Sequence, residues 1–564
     1  MDSARVFYRI TPNDPGAGIF KVVATFPPSS SSHFSFQFAH WRPGRYFQGN
    51  FLKNLRHIEF FIPEETQPLG PEQIRRTEAL GWEIFLENKS GLEVHYTFMA
   101  HELNAGTSYC NPDFIQINPV NLCVASLHHL HLPHAYHMEK VADVPMANPL
   151  QEKDQWFEAA DFDRLSDAPA WWHKALTTSP FSVNGHDFFL HHTSGQKDFS
   201  DKLIPALSAI IQTQLAVFEH YDQVPFHFMV LATTYPSHHG VEHTHSTICQ
   251  IGPDEQLLTE KWDELLRLLS HEFYHVWNIK YIRPKAYLPY PLFSQKISPE
   301  TLWAEGVTTY MGDKIIAQSG IWSPEEWMQK IQNWWIRHVE SPGNAFASLI
   351  HSAEETWVDG YEPERIFRRK SIYVEGALLS FWLDVQLVHA SHGAISLQTL
   401  MGRLHQKSMQ GIGYNLEDIW VEIAHMGFPE LSKRTKELMH QNGFMHAHIE
   451  EALHLLGIDC TWQSTEASWT KAFGALTGIS GRVLHVREQS PAMDLGLMVG
   501  DEWMGGPSLA LNAEQVPEQL TFLRQGITME VIWPLQGRPA WKIPQLQISH
   551  LGSHPIFKAW LTAF

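Results

Sequence analysis

Cysteine is scarce in this chain. There are four in 564 residues, Cys110, Cys123, Cys249 and Cys460, with no C-x-x-C pair. That argues against a disulfide scaffold or a thiolate zinc site and predicts reduced, buried thiols. No apolar run reaches the roughly 18 residues a membrane-spanning helix needs, so none is expected. The opening "MDSARVFYRITPNDPGAG" lacks the basic stretch and apolar run of a secretory leader, which leaves a cytoplasmic protein as the simplest expectation. Positive charge is short as well: 41 Lys and Arg stand against 61 Asp and Glu, a net charge of −20. Nucleic acid is therefore not an expected partner. There is no internal repeat and no low-complexity segment.

What is present is globular: 44% hydrophobic, 12% aromatic and 18% charged residues. The length suits several domains better than one core. Strand-like segments fill roughly the first 160 residues, among them "HFSFQFAHW", "HIEFFIPE", "GWEIFLEN" and "LEVHYTFMAHEL", short, aromatic and partly alternating. They predict a β-sandwich, with a boundary in the turn-rich "DFDRLSDAPAWW". Strands continue through "HDFFLHH" and "FHFMVLAT". From about Glu255 the period changes, and Leu258, Trp262, Leu265, Leu269, Phe273 and Val276 fall on one helical face. Helices then run to about Leu456, one of them with Ser298 as N-cap and Pro299 as first residue. After Cys460 short strands and glycine turns return.

Within the first helix of that region lies "HEFYHVW". Thirty-five histidines make such a match less informative than usual, and "SLHHLHLPHAYH" shows the risk: it reads as a solvated strand edge or loop. The helical setting is what distinguishes His271 and His275. One turn apart, they can both face a zinc ion, and Glu272 on the same turn can take a proton from water. A catalytic zinc usually has three protein ligands. Glu305, in "TLWAEGVTTYMGD" on the next helix, is the candidate third, and Asp313 could orient a ligand histidine.

"HEFYHVWN" followed by "LWAEGVTTYMGD" resembles the glycyl aminopeptidase family of gluzincin metallopeptidases, which carry a PDZ module. "WRPGRYFQGNFLKNL", "HHGVEHTHST" and "SIYVEGALLSFWLD" resemble further family segments in the expected order, so the likeness spans nearly the whole chain. It implies a multidomain α+β architecture: a β-sandwich-like N-terminal domain (1–165), a thermolysin-like, mainly helical peptidase domain (166–456) and a PDZ-like domain (457–564). It also implies one Zn²⁺ per chain on His271, His275 and Glu305, with Glu272 as general base. Glu242, with Gly240 beside it, would bind the free amine of a peptide substrate, and Tyr373 would donate to the oxyanion. Two departures bear on specificity. The family's paired glycine is His239-Gly240 here, which puts glycine preference in question, and Glu375 stands where related aminopeptidases often have lysine.

"SPAMDLGLMVGD" has the PDZ pattern, a short helix from Pro491 and a turn at Gly500-Asp501, but the upstream "FGALTGISGRV" lacks a clear carboxylate-binding loop. The module's ligand is open. The expected function is a zinc aminopeptidase acting on peptides with a free N-terminus. The alternatives are an endopeptidase, or a non-catalytic PDZ-bearing scaffold derived from a peptidase.

Overall fold

The computed structural model describes residues 4–563 except 30–31, 47, 79, 88, 142, 219, 340, 360–367, 444, 466–473, 479–480, 489, 505–518, 533–540 and 548–553. The chain is a multidomain α+β protein with a β-rich N-terminal part and a helical middle. Among the described residues no helix is long and apolar enough to cross a membrane. The four cysteines are free, three of them buried.

Alternation builds the N-terminal part. Val6–Ile10 and Leu92–Met99 bury every second residue, the period of a strand with one face in a core. A seven-stranded sheet runs in the order Gln151–Lys153, Trp156–Ala159, His134–Met138, Val6–Asp14, Ile19–Phe26, Leu92–Met99, Leu55–Phe61. Its inner face shares a core with a second sheet holding His33–Gln37 and Trp82–Phe85. A third sheet pairs Ala170–His173 with Phe114–Ile117, so strand pairing continues past residue 165 through the turn-rich segment. The histidine-rich stretch is part loop and part strand: residues 127–133 form a turn with His128 and His131 exposed, as a solvated loop would, but the rest is interior. His134–Met138 lies inside the large sheet, between Val6–Ile10 and Phe157–Ala159. His129 and His134 are buried and stack on Phe34 and Tyr8. Burial pushes both imidazoles down to about 4, which makes them neutral core residues.

A five-stranded sheet opens the middle of the chain, in the order Thr177–Val183, His186–His192, Phe226–Ala232, Ser246–Gly252, Ser237–Glu242. Its last strand is an antiparallel edge ending at Glu242. The helix carrying the histidine motif spans Trp262–Tyr274 and buries Leu265, Leu269 and Phe273. Leu258 precedes it and Val276 follows it, so the apolar periodicity overran the helix at both ends. The second helix is Thr301–Gln318, with Glu300 at the cap; Ser298, two residues earlier, donates to Glu300 Oε2 at 2.6 Å. A third helix, Val374–Ala390, crosses the second where Gly306 and Gly376 meet. A Cβ on Gly306 would lie 2.5 Å from Gly376 Cα. Two glycines therefore let the backbones touch.

The C-terminal segment has a small core of its own, including Val483, Ala492, Leu497, Trp503 and Phe522. Pro491–Asp494 is the expected short helix, and Gly500 turns at φ 95°. The expected carboxylate-binding stretch falls partly outside the described residues. Both ends of this segment return to the helical middle. Asp459–Thr465 pairs with Trp541–Gln547, and Leu546, Phe557 and Trp560 join the main helical core.

Candidate active site

His271 sits in the last turn of the motif helix and His275 caps it, still in helical geometry. One turn of rise stacks them, and their Nε2 atoms lie 3.0 Å apart. The second helix brings Glu305 Oε2 to 3.4 Å from His271 Nε2 and 3.5 Å from His275 Nε2. Two ties hold the helices in this register. Ser270 Oγ donates to the Gly312 carbonyl at 2.7 Å, and Arg267 Nε forks onto both oxygens of Asp313 at 3.0 and 2.9 Å. Asp313 thus serves Arg267, and among the described residues it makes no hydrogen bond to either histidine, although its charge favours the protonated form of His271.

Asn278 supplies the orientation instead. The chain leaves helical geometry there (φ −91°, ψ 74°), and the turned carbonyl accepts a hydrogen bond from His275 Nδ1 at 2.9 Å. That bond ties the Nδ1 proton to the backbone and leaves Nε2 as the nitrogen facing Glu305, the orientation a metal-ligating histidine needs. The Asn278 amide nitrogen donates to the carbonyls of Trp303 and Ala304 and to Thr308, pinning the second helix one residue from Glu305. Sequence reasoning quoted Asn278 within its motif without seeing this role. Tyr46, quoted likewise within "WRPGRYFQGNFLKNL" without a role, donates its hydroxyl to Glu305 Oε1 at 2.5 Å from a segment 259 residues away.

Three carboxylates crowd this point. Glu242, Glu272 and Glu305 are only 4%, 5% and 4% exposed, and His275 2%. Burial, reinforced by Glu242 and Glu305, pushes Glu272 up to about 8, and among the described residues its Oε2 meets no hydrogen-bond donor. Burial also disfavours charge on His275, yet Glu305, Glu242 and Glu272 together raise it to about 10. Glu305 shows the converse: burial opposes its charge, and the two histidines hold it well below the usual carboxylate range. Two imidazoles and a carboxylate oxygen converging among surplus buried negative charge form a donor set that fits a zinc ion.

The remaining residues line one cleft of about 710 Å³ with these groups. Glu242 reaches it from the sheet edge. The turn after it is clamped by Asp167, which bonds His243 Nδ1 (3.0 Å), the Thr244 amide (2.9 Å) and Lys280 Nζ (2.9 Å). Gly240 is required by contact, since a Cβ there would overlap Glu272 Oε1. His239 lines the cleft, with burial pushing its imidazole down to about 3. Tyr373 precedes the third helix, its ring centre 6.5 Å from that of His271. Glu375 is elsewhere: fully buried, it bonds His338 Nδ1 at 2.5 Å and Asn344 Nδ2 at 2.9 Å, so its difference from lysine does not reach the cleft.

Residues 7–172 match the model of the peptidase M61 N-terminal domain, and residues 264–379 match that of the M61 glycyl aminopeptidase. The chain belongs to the M61 glycyl aminopeptidase family. Its membership places it among peptidases, and the second match takes in His271, Glu272, His275, Glu305 and Tyr373. Among solved structures, this M61 chain is similar to an aminopeptidase N family protein from Idiomarina loihiensis. That protein is 22% identical, covers 99% of this chain and 100% of its own, and has a TM-score of 0.83, so the two share a fold. An M1 zinc metallopeptidase from Deinococcus radiodurans is 12% identical over 78% of this chain and 94% of its own, with a TM-score of 0.48. No curated protein matches the M61 chain.

Proposed function

We propose that this chain is a zinc-dependent aminopeptidase that removes small first residues, glycine- or alanine-like, from peptides with a free N-terminus. The observation that carries the reading is the overlap of two groups, one partly open at His271 and the other fully buried: His271, His275 and Glu305 on one side, Glu242, Glu272 and His275 on the other, each with ligand atoms within 4.8 Å. The first group would hold one zinc per chain. Zinc, when bound, supplies the Lewis acidity that makes water nucleophilic near neutral pH.

The chain's own residues do the rest. Glu242 anchors the substrate ammonium by a charge-assisted hydrogen bond, which sets the first peptide bond beside Glu272. Glu272 accepts a proton as water adds to the carbonyl carbon and returns it to the departing amine, so the C–N bond breaks with protons balanced. Tyr373 donates to the carbonyl oxygen as negative charge grows there. An endopeptidase would leave Glu242 buried with no amine to meet, and a scaffold would need neither Glu272 nor the ligand set. In the C-terminal segment the short helix at Pro491, the Gly500 turn and the separate small core support a PDZ-like reading. The packing of both its ends on the helical middle favours a structural role for it.

The test is cleavage of a series of aminoacyl chromogenic amides by the full chain, before chelation, after it, and after zinc is restored. The reading expects activity on small first residues that is lost and then recovered. Undiminished cleavage by the metal-stripped chain would refute it.

A further inference from the structure

We infer that Tyr46, supplied by the N-terminal β-rich part, is a positioning residue for the metal site: its hydroxyl fixes the carboxylate of Glu305 so that Oε2 faces the two histidines. This rests on the proposed zinc site and adds a residue to it that no spacing argument could reach.

The geometry divides the two oxygens of Glu305. Oε2 is the one 3.4 and 3.5 Å from His271 and His275, while Oε1 accepts from Tyr46 at 2.5 Å. A monodentate carboxylate ligand needs such a division. With no donor on the second oxygen, the group is free to rotate, or to turn that oxygen toward the metal as well. Tyr46 is 6% exposed and packs in the main helical core, so its ring is fixed by burial.

The loop that carries it is anchored to the helical part of the chain. His40 and Trp41 donate their amides to the Leu292 carbonyl at 2.7 and 3.1 Å, and Tyr290 donates its hydroxyl to the Arg42 carbonyl at 3.0 Å. Gly49 closes the loop, its amide donating a hydrogen bond to the His40 carbonyl at 2.7 Å. Two residues before Tyr46, Gly44 packs so closely on Glu242 that a Cβ there would overlap Oε2. One anchored loop thus touches both the carboxylate placed on the substrate amine and the carboxylate placed on the metal.

The experiment measures zinc dissociation constants by chelator competition for the full chain, Tyr46→Phe, Glu305→Ala and the double variant, with folding checked by circular dichroism. Tyr46→Phe should weaken zinc binding by about 10- to 100-fold, the usual cost of losing an outer-shell partner. It should add nothing once Glu305 is alanine. Unchanged affinity in Tyr46→Phe, or an equal loss in both backgrounds, overturns the inference. A matched pair guards against misfolding. Tyr46→Gln keeps an N–H donor and should hold zinc more tightly than Tyr46→Met of similar size; equal affinities overturn the role. Full zinc occupancy in Glu305→Ala would instead overturn the ligand assignment itself, which separates the two failures.

Discussion

A carboxylate oxygen closed off from water with no donor beside it is costly, and a folded chain keeps one where chemistry uses it. Glu272 is such a group, next to His271 and facing Gly240. Glu272→Gln preserves the shape but cannot accept a proton. The variant should keep its zinc by metal analysis while kcat falls by roughly 10²–10⁴-fold; near-normal turnover in a zinc-loaded variant would remove Glu272 from the mechanism. Tyr373→Phe should lower kcat more than it raises KM, because the bond it would make strengthens only as the oxyanion develops. Steady-state kinetics on one amide substrate separates the two parameters. At this scale the motif was legible because a helix converts a spacing of four into shared direction. Asn278, Asp167 and Tyr46 all lie in segments that the sequence singles out, but their roles were not legible. Each acts through a contact made by a turned carbonyl, a strand end or a loop distant in sequence, and no local periodicity encodes those.

Elements set the distance between the histidines and Glu305. The second helix is wedged between the motif helix and the third helix, tied to the first by Ser270 and Arg267 and to the other by the glycine contact. A Cβ on Gly376 would lie 2.6 Å from Gly306 Cα, against backbone that cannot swing aside. Gly376→Ala should therefore destabilise the chain by about 1–3 kcal/mol, read as a fall in the thermal midpoint, because overpacked cores shift or strain. An unchanged midpoint would show that the two helices have slack. Apolar periodicity located these helices but misjudged their ends: Leu258 and Val276 continue the pattern outside the motif helix, since burial follows the core surface and helix length follows backbone hydrogen bonding. In the histidine-rich stretch the turn stays at the surface as a loop would, while His129 and His134 face a core of aromatic rings that accepts a neutral imidazole.

At the scale of the whole molecule, the chain's parts are interlocked. The loop carrying Tyr46 reaches from the β-rich part to Glu305 on the second helix. From the other end, Pro555–Thr562 packs Trp560 into the helical core, its indole N–H donating to Tyr310 at 2.9 Å. Tyr310 and Lys314 in turn meet Asp384 at 2.5 and 2.8 Å, a fully buried ion pair between the second and third helices. Trp560→Ala should destabilise the helical part itself by about 3–5 kcal/mol, seen in denaturant unfolding as an earlier main transition. A tail that merely hung from the surface would leave that transition in place. Composition and segment order revealed the β-rich and helical parts. The return of the C-terminal segment was hidden, because "PIFKAWLT" shows an apolar face without showing what it covers.

Glu242 carries the central claim, because a buried anion beside the proposed zinc site is what would distinguish an enzyme reading free N-termini from one cutting anywhere. A free amine is largely protonated below its usual pKa of about 7.7–8.0, while acetylation removes its charge and leaves the carboxylate without a partner. Losing one member of a buried charge pair costs on the order of 2–5 kcal/mol, or about 30-fold to several thousand-fold in rate. The decisive measurement is the ratio of kcat/KM for a free-amine peptide amide to that for its N-acetylated twin, with zinc-loaded full chain. A ratio in that range, collapsing toward unity in Glu242→Ala with zinc content unchanged, is the predicted result. Equal rates on free and acetylated substrates in the unmodified chain would contradict the account.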